Sequence, residues 1–184
     1  MIGRSQGSST VRRHFSRISG HPCWGVTAEY GSWLGLNFGP PTLHVREGVS
    51  DSGQGGLQRR RVFVEGRYRL WIDLCDWTIF EDGRRRFHSA QPRAALRRAA
   101  AHLDGQILQH FSLELRPLRC SFGFDQGITL VTERCADARR DDELWHFYSP
   151  RTYLGLRSDA RLEFGRLQPE RLSRCRAPVL ELAV

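Results

Sequence analysis

The sequence predicts an α+β domain: a mainly antiparallel, meander-like curved sheet with one principal helix packed against it. Three observations carry that expectation. Apolar and polar residues alternate with period two through much of the second half, the pattern of strands with one solvated face. Residues 67 to 79 give the longest strand signal, with large apolar groups on both faces. One stretch, residues 90 to 102, sets its apolar residues at the three- and four-residue spacing of a helix.

Residues 1 to 21 read as a basic, disordered tail, because the first twenty residues are rich in Arg and Ser and hold no acid. That composition superficially mimics a mitochondrial transit peptide, and we read it instead as a bacterial upstream extension or the product of a misplaced start codon. Removal of residues 1 to 20 is then expected to leave stability unchanged. Residues 22 to 165 should form one domain, and residues 166 to 184 are weakly patterned.

Residues 24 to 30 and 33 to 38 read as short strands around a Gly31-Ser32 turn. Pro40-Pro41 breaks the second, since two prolines cannot donate to a ladder, and residues 42 to 47 make a third strand with Leu43 and Val45 on one side. Residues 50 to 56 (SDSGQGG) are a loop. Residues 61 to 65 and 67 to 79 are strands separated at Gly66, a tight turn or a bulge. In the longer one Tyr68, Leu70, Ile72 and Leu74 share one face, and Trp71, Asp73, Cys75 and Trp77 the other. Such a strand should be central, covered on both sides, with Trp71 and Trp77 buried.

Glu81-Asp82-Gly83 is a turn signal. After Arg84-Arg85-Arg86, Ser89 is placed to cap the helix. Leu96, Ala99, Ala100 and Leu103 make its apolar stripe, and Arg93, Arg97 and Arg98 fall on the wet side. Asp104-Gly105 stops it. In the meander that follows, Ile107, Phe111, Leu113 and Leu115 alternate with polar neighbours, as do Leu118, Cys120, Phe122 and Phe124. Asp125-Gln126-Gly127 is a hairpin loop and residues 128 to 133 return. A charged loop over 134 to 143 leads to short strands at 144 to 148 and 152 to 156.

All 28 basic residues are arginine; the net charge is +8 and the pI about 10.0. Selection for phosphate binding normally mixes both cations, whereas a lysine-free chain reports G+C-rich codon usage, so charge alone is weak evidence for nucleic acid. Five cysteines, odd in number and without a C-x-x-C pair, give no zinc-ribbon or thioredoxin pattern and suit a reducing cytoplasm. No apolar run reaches bilayer length and no apolar segment follows Met1, so no membrane association is expected. The seven histidines never stand three or four residues apart, and neither G-x-S-x-G nor a phosphate loop occurs, so no metal, cofactor or catalytic motif is expected.

Two sets of polar residues stand out as candidates. Asp73, Cys75 and Asp76 interrupt an apolar strand and define a candidate polar pocket, with Asp73 and Cys75 projecting side by side. The bland alternative is that Asp73 pairs with an arginine of a neighbouring strand and Asp76 ends the buried stretch. Arg59, Arg60, Arg61 and Arg84, Arg85, Arg86 define a candidate binding surface. The five tryptophans Trp24, Trp33, Trp71, Trp77 and Trp145 fill a core more readily than they line a groove.

Several runs resemble an uncharacterised family of small bacterial proteins. They are Trp33-Leu34 with Phe38-Gly39 and Arg46-Glu47, then Leu70-Trp71-Ile72 with Cys75-Asp76-Trp77. Leu103-Asp104-Gly105-Gln106, Phe122-Gly123-Phe124-Asp125, and Trp145 with Tyr148-Ser149-Pro150 extend the similarity over residues 24 to 158. That family has no established activity, so the resemblance implies a fold neighbourhood; an immunity-like, partner-binding role follows by analogy alone. The expectation is a non-enzymatic cytoplasmic protein that binds a macromolecular partner, a protein first. RNA or single-stranded nucleic acid, held by arginine clusters and aromatics, is the alternative.

Overall fold

The computed structural model describes residues 4–28, 33–46 and 60–167. The Gly31-Ser32 turn, the 50 to 56 loop, Arg59 and residues 168 to 184 lie outside the described residues. Within them the strands form two open antiparallel sheets. The first has the order β1 (Cys23–Ala28), β2 (Leu34–Arg46), β3 (Arg61–Ile72), β9 (Glu143–Tyr148), β10 (Thr152–Arg157) and β11 (Leu162–Arg166). The second runs β5 (Arg84–His88), β4 (Cys75–Glu81), β8 (Ile128–Arg134), β7 (Leu118–Phe124) and β6 (Leu108–Leu115). Two helices, α1 (Arg4–Phe15) and α2 (Arg93–Leu103), complete the described chain.

Two open sheets therefore replace the expected single curved one, and the reason lies at Asp73-Leu74. Leu74 takes a φ of 39°, a conformation that turns the chain out of one sheet and into the other. Before the corner the buried apolar residues are even-numbered, Leu70 and Ile72; after it they are odd-numbered, Cys75, Trp77 and Ile79. The two-faced apolar strand expected from 67 to 79 is two single-faced strands in succession. Trp77 is accordingly in the core at 1% exposure, while Trp71 is half-buried on the far face of the first sheet, edge-on to Trp33.

The core is shared by both sheets. Leu34, Leu36, Phe38, Leu70, Trp145 and Phe147 belong to the first, and Trp77, Ile79, Cys120, Phe122 and Leu130 to the second. The Trp145 Nε1–H donates to Cys120 Sγ at 3.0 Å, joining the two layers.

The segment read as a basic tail supplies part of this core. Val11, Phe15 and Ile18, spaced four and three apart, are all buried. Phe15 stacks on Phe111 at 3.9 Å between ring centroids and meets Phe122, Trp145 and Phe147, so it touches both sheets. The packed core thus includes residues ahead of the expected boundary at 22, and the burial of Val11, Phe15 and Ile18 argues against a tail that can be removed without loss of stability. Next to Phe15, His14 is 3% exposed, donates from Nδ1 to the Thr10 carbonyl at 2.8 Å, and lies edge-on to Phe147 and Phe164. Helix α2 buries Ala95, Leu96, Ala99, Ala100 and Leu103 as the stripe requires, and packs against β1 and β5. Its N-cap is Pro92 without a side-chain hydrogen bond. Ser89 serves elsewhere: its hydroxyl accepts from the Trp77 N–H and donates to Asp76, both at 3.3 Å.

Candidate partner-binding surface

The three residues of the expected polar pocket part company at the Leu74 corner. Asp73 turns back on its own backbone, its Oδ1 accepting from the Leu74 N–H at 2.8 Å. Asp76 is exposed and accepts from Ser89. Cys75 points the other way, into the core, where its thiol donates to the Leu144 carbonyl at 3.4 Å. Burial, reinforced by Cys135, Cys120 and the two aspartates, pushes that thiol well above its ordinary pKa. Such a shift favours the thiol over the thiolate, which is the nucleophilic form. Among the described residues no group of His, Cys, Asp and Glu could hold a metal ion.

The arginine clusters fall on different sheets. Arg60 precedes β3 and Arg61 opens it, whereas Arg84, Arg85 and Arg86 are exposed along β5, at an edge of the second sheet. No strand pairing brings the two runs together. Arg86 is partly neutralised by Glu81 at 2.6 Å.

A different surface emerges from β2 and β3. Their pairing continues for the whole length of the hairpin, from Leu34↔Ile72 to Arg46↔Arg61, straight through the Pro40-Pro41 break expected from sequence. Between Phe38↔Tyr68 and Pro41↔Gly66 the register advances three residues on β2 but two on β3, so one extra residue is accommodated as a bulge. Pro40 falls in that bulge, where the ladder is interrupted and a missing donor matters little. Gly39 supplies the φ of 71° that such a bulge requires. Gly66 has to be glycine, because a Cβ there would come within 2.8 Å of the Phe38 backbone N and O.

The bulge re-phases β2. Its core-facing residues are even-numbered up to Phe38, and past the bulge the odd-numbered Leu43 and Val45 take that face, opposite Val64 and Val62 of β3. In β3 the parity is unbroken from Ile72 and Leu70 through half-buried Tyr68 to Val64 and Val62. The core-facing side of the sheet thus continues outward along a two-stranded ribbon. Neighbouring strands stop short of it: β1 pairs with β2 only up to Phe38, and β9 with β3 only from Arg69 onward. Leu43, Val45, Val62 and Val64 are 64, 55, 58 and 49% exposed. On the opposite side His44 stacks on Phe63 at 5.3 Å and lies 3.5 Å from the Glu65 carboxylate.

Sequence reasoning saw Leu43 and Val45 on one side of a strand but did not join them to Val62 and Val64, because the prolines and Gly66 were read as ends of strands. The signal that could have joined them was the pair of short β-branched runs either side of one long loop. Comparison with known protein families, curated proteins and solved structures finds no match for this chain.

Proposed function

We propose that this chain is a non-enzymatic partner-binding module that docks a protein through the β2–β3 ribbon. The observation that carries this reading is the double cross-strand pair Leu43/Val64 and Val45/Val62, four aliphatic side chains left about half or more exposed on a continuation of the core face. Grouped apolar exposure of this kind marks a binding surface, whereas scattered single residues do not. Four aliphatic side chains grouped in this way favour a partner that presents an apolar contact strip. The four described cysteines are free, which supports a reducing, cytoplasmic setting.

The test is a double substitution, Leu43→Asp with Val64→Asp, in the full chain. Both side chains face solvent, so the variant should fold with an unchanged melting temperature. Wild-type protein should retain a specific protein from its native host that the variant releases. Retention of the same proteins by both forms would remove the ribbon from the argument and the reading with it.

A further inference from the structure

Resting on the ribbon as docking surface, we infer that the partner presents an extended segment, which adds as a strand to the outer edge of β3 in line with β9. β9 pairs with β3 only from Arg69 to Ile72, so among the described residues no strand lies on that side of β3 from Arg61 to Tyr68. Two hydrogen bonds fix which way the β3 amides point. The Gly66 N–H turns toward β2, donating to Asn37 Oδ1 at 2.9 Å. The Asp73 N–H, just past the strand, turns toward β9 and donates to the Leu144 carbonyl at 2.9 Å. Amide groups alternate sides along a strand, so even-numbered residues of β3 face β2 and odd-numbered ones face the side of β9. Glu65 and Arg67 therefore send N–H and C=O into the lane that β9 leaves at Tyr148, where no strand of the described residues meets them.

Two features set this edge apart from the others. On the β2 side of the ribbon, Pro40 and Pro41 have no N–H to offer, and the bulge offsets β2 from the line of β1. β3 keeps one parity from Ile72 to Val62, so a strand laid on it continues β9 without an offset. The edge strands β1, β5, β6 and β11 each carry at most one exposed large apolar side chain, Leu115 on β6 and Phe164 on β11. Among the described strands, the ribbon alone joins an uncovered edge to four exposed aliphatic side chains.

The register of the lane gives the chemistry of its occupant. Residues of the added strand opposite Val62 and Val64 meet the apolar side of the ribbon. Residues opposite Glu65 and Arg67 lie on the polar side, and these exchange backbone hydrogen bonds with β3. The occupant is thus a peptide segment with an aliphatic residue at every second position and polar residues between. Main-chain bonds hold such a segment, and the alternate side chains select it. A helical partner would meet the same aliphatic side chains and make no use of the edge.

Fluorescence anisotropy of a labelled, end-capped peptide alternating valine and threonine, titrated with the full chain, tests the inference. N-methylation of the threonine amides removes the donors aimed at Glu65 and Arg67 and should weaken binding about tenfold or more. N-methylation of the valine amides, which point away from β3, should leave binding unchanged. Arg67→Pro deletes an outward N–H and spares the ladder to β2; it should bind the plain peptide about tenfold more weakly, with unchanged circular dichroism. Should that variant fail to fold, the two methylated peptides decide alone. Three results would overturn strand addition: no binding of the plain peptide at millimolar concentration, equal binding of the two methylated forms, or self-association of the chain that Arg67→Pro abolishes, which gives the edge to a second copy. Equal binding of the methylated forms, with a native partner still released by Leu43→Asp, Val64→Asp, would remove the strand and keep the ribbon.

Discussion

The β2–β3 hairpin is one ladder with two differently housed halves. Near its base Leu34, Leu36, Phe38, Leu70 and Ile72 are at most 1% exposed; beyond the bulge Leu43, Val45, Val62 and Val64, on the same face, are at least 49% exposed. Hydrophobicity does not separate the halves, for both are apolar on this face and alternate with period two. Neighbours do. The base has β1 and β9 alongside and the second sheet across from it, and among the described residues the outer half pairs only with its own partner strand. Alternation in a sequence therefore marks which side of a strand is apolar, and leaves open what covers that side.

Four measurements would break or sharpen this contrast. Phe15→Ala removes the ring that α1 sets against both sheets, and it should lower the unfolding free energy by about 3–5 kcal/mol in urea titration. A tail that merely trails the domain would give no change. Leu70→Ala, within the covered half, should cost about 2–5 kcal/mol by the same measurement.

His14 gives a pH-dependent version of the contrast. Burial, with smaller contributions from Arg17 and Arg13, holds its pKa below the ordinary 6.5, against the opposing hydrogen bond to Thr10. The unfolded chain then binds a proton more readily than the folded one. This contribution to stability is intact above pH 6.5 and falls away as the pH drops from there through the lowered folded value. Wild type should lose more melting temperature between about pH 7.5 and 5.5 than His14→Leu does; parallel losses would show that His14 is not the titrating group. The smallest effect belongs to the outer half. Val64→Ala should change stability by no more than about 0.5 kcal/mol, and a loss as large as that of Leu70→Ala would show that something covers the ribbon after all.

Legibility in the sequence followed how local the cause was. The meander from β6 to β8, the stripe of α2 and the β9–β10 pair were readable because each is set by its own alternation and adjacent turn residues. Two features depended on distant contacts and were missed. The apolar spacing of Val11 and Phe15 in α1, continued by Ile18 in the turn after it, was hidden by the surrounding arginines, and it becomes a core element because Phe111, Phe122, Trp145 and Phe147 meet Phe15. The outer half of the ribbon was obscured because Gly39, Pro40 and Gly66 have the composition of strand ends yet jointly build a bulge inside one ladder. Asp73, Cys75 and Asp76 were placed on a continuous strand, and one positive φ at Leu74 was enough to separate them. The edge strand β5 was read as a turn and an arginine run, since three consecutive charges conceal a ladder with β4.

The Asp73-Leu74 corner also bears on how the molecule comes apart. Only two residues separate β3 in the first sheet from β4 in the second, and the Asp73 N–H is tied to the Leu144 carbonyl at the head of β9. So short a tether leaves neither sheet room to melt while the other keeps its register, because fraying one end of β4 pulls directly on Ile72. Heat should therefore dissolve both layers in a single cooperative step, with calorimetric and van't Hoff enthalpies equal, and a chain that looks like two stacked sheets behaves thermodynamically as one unit.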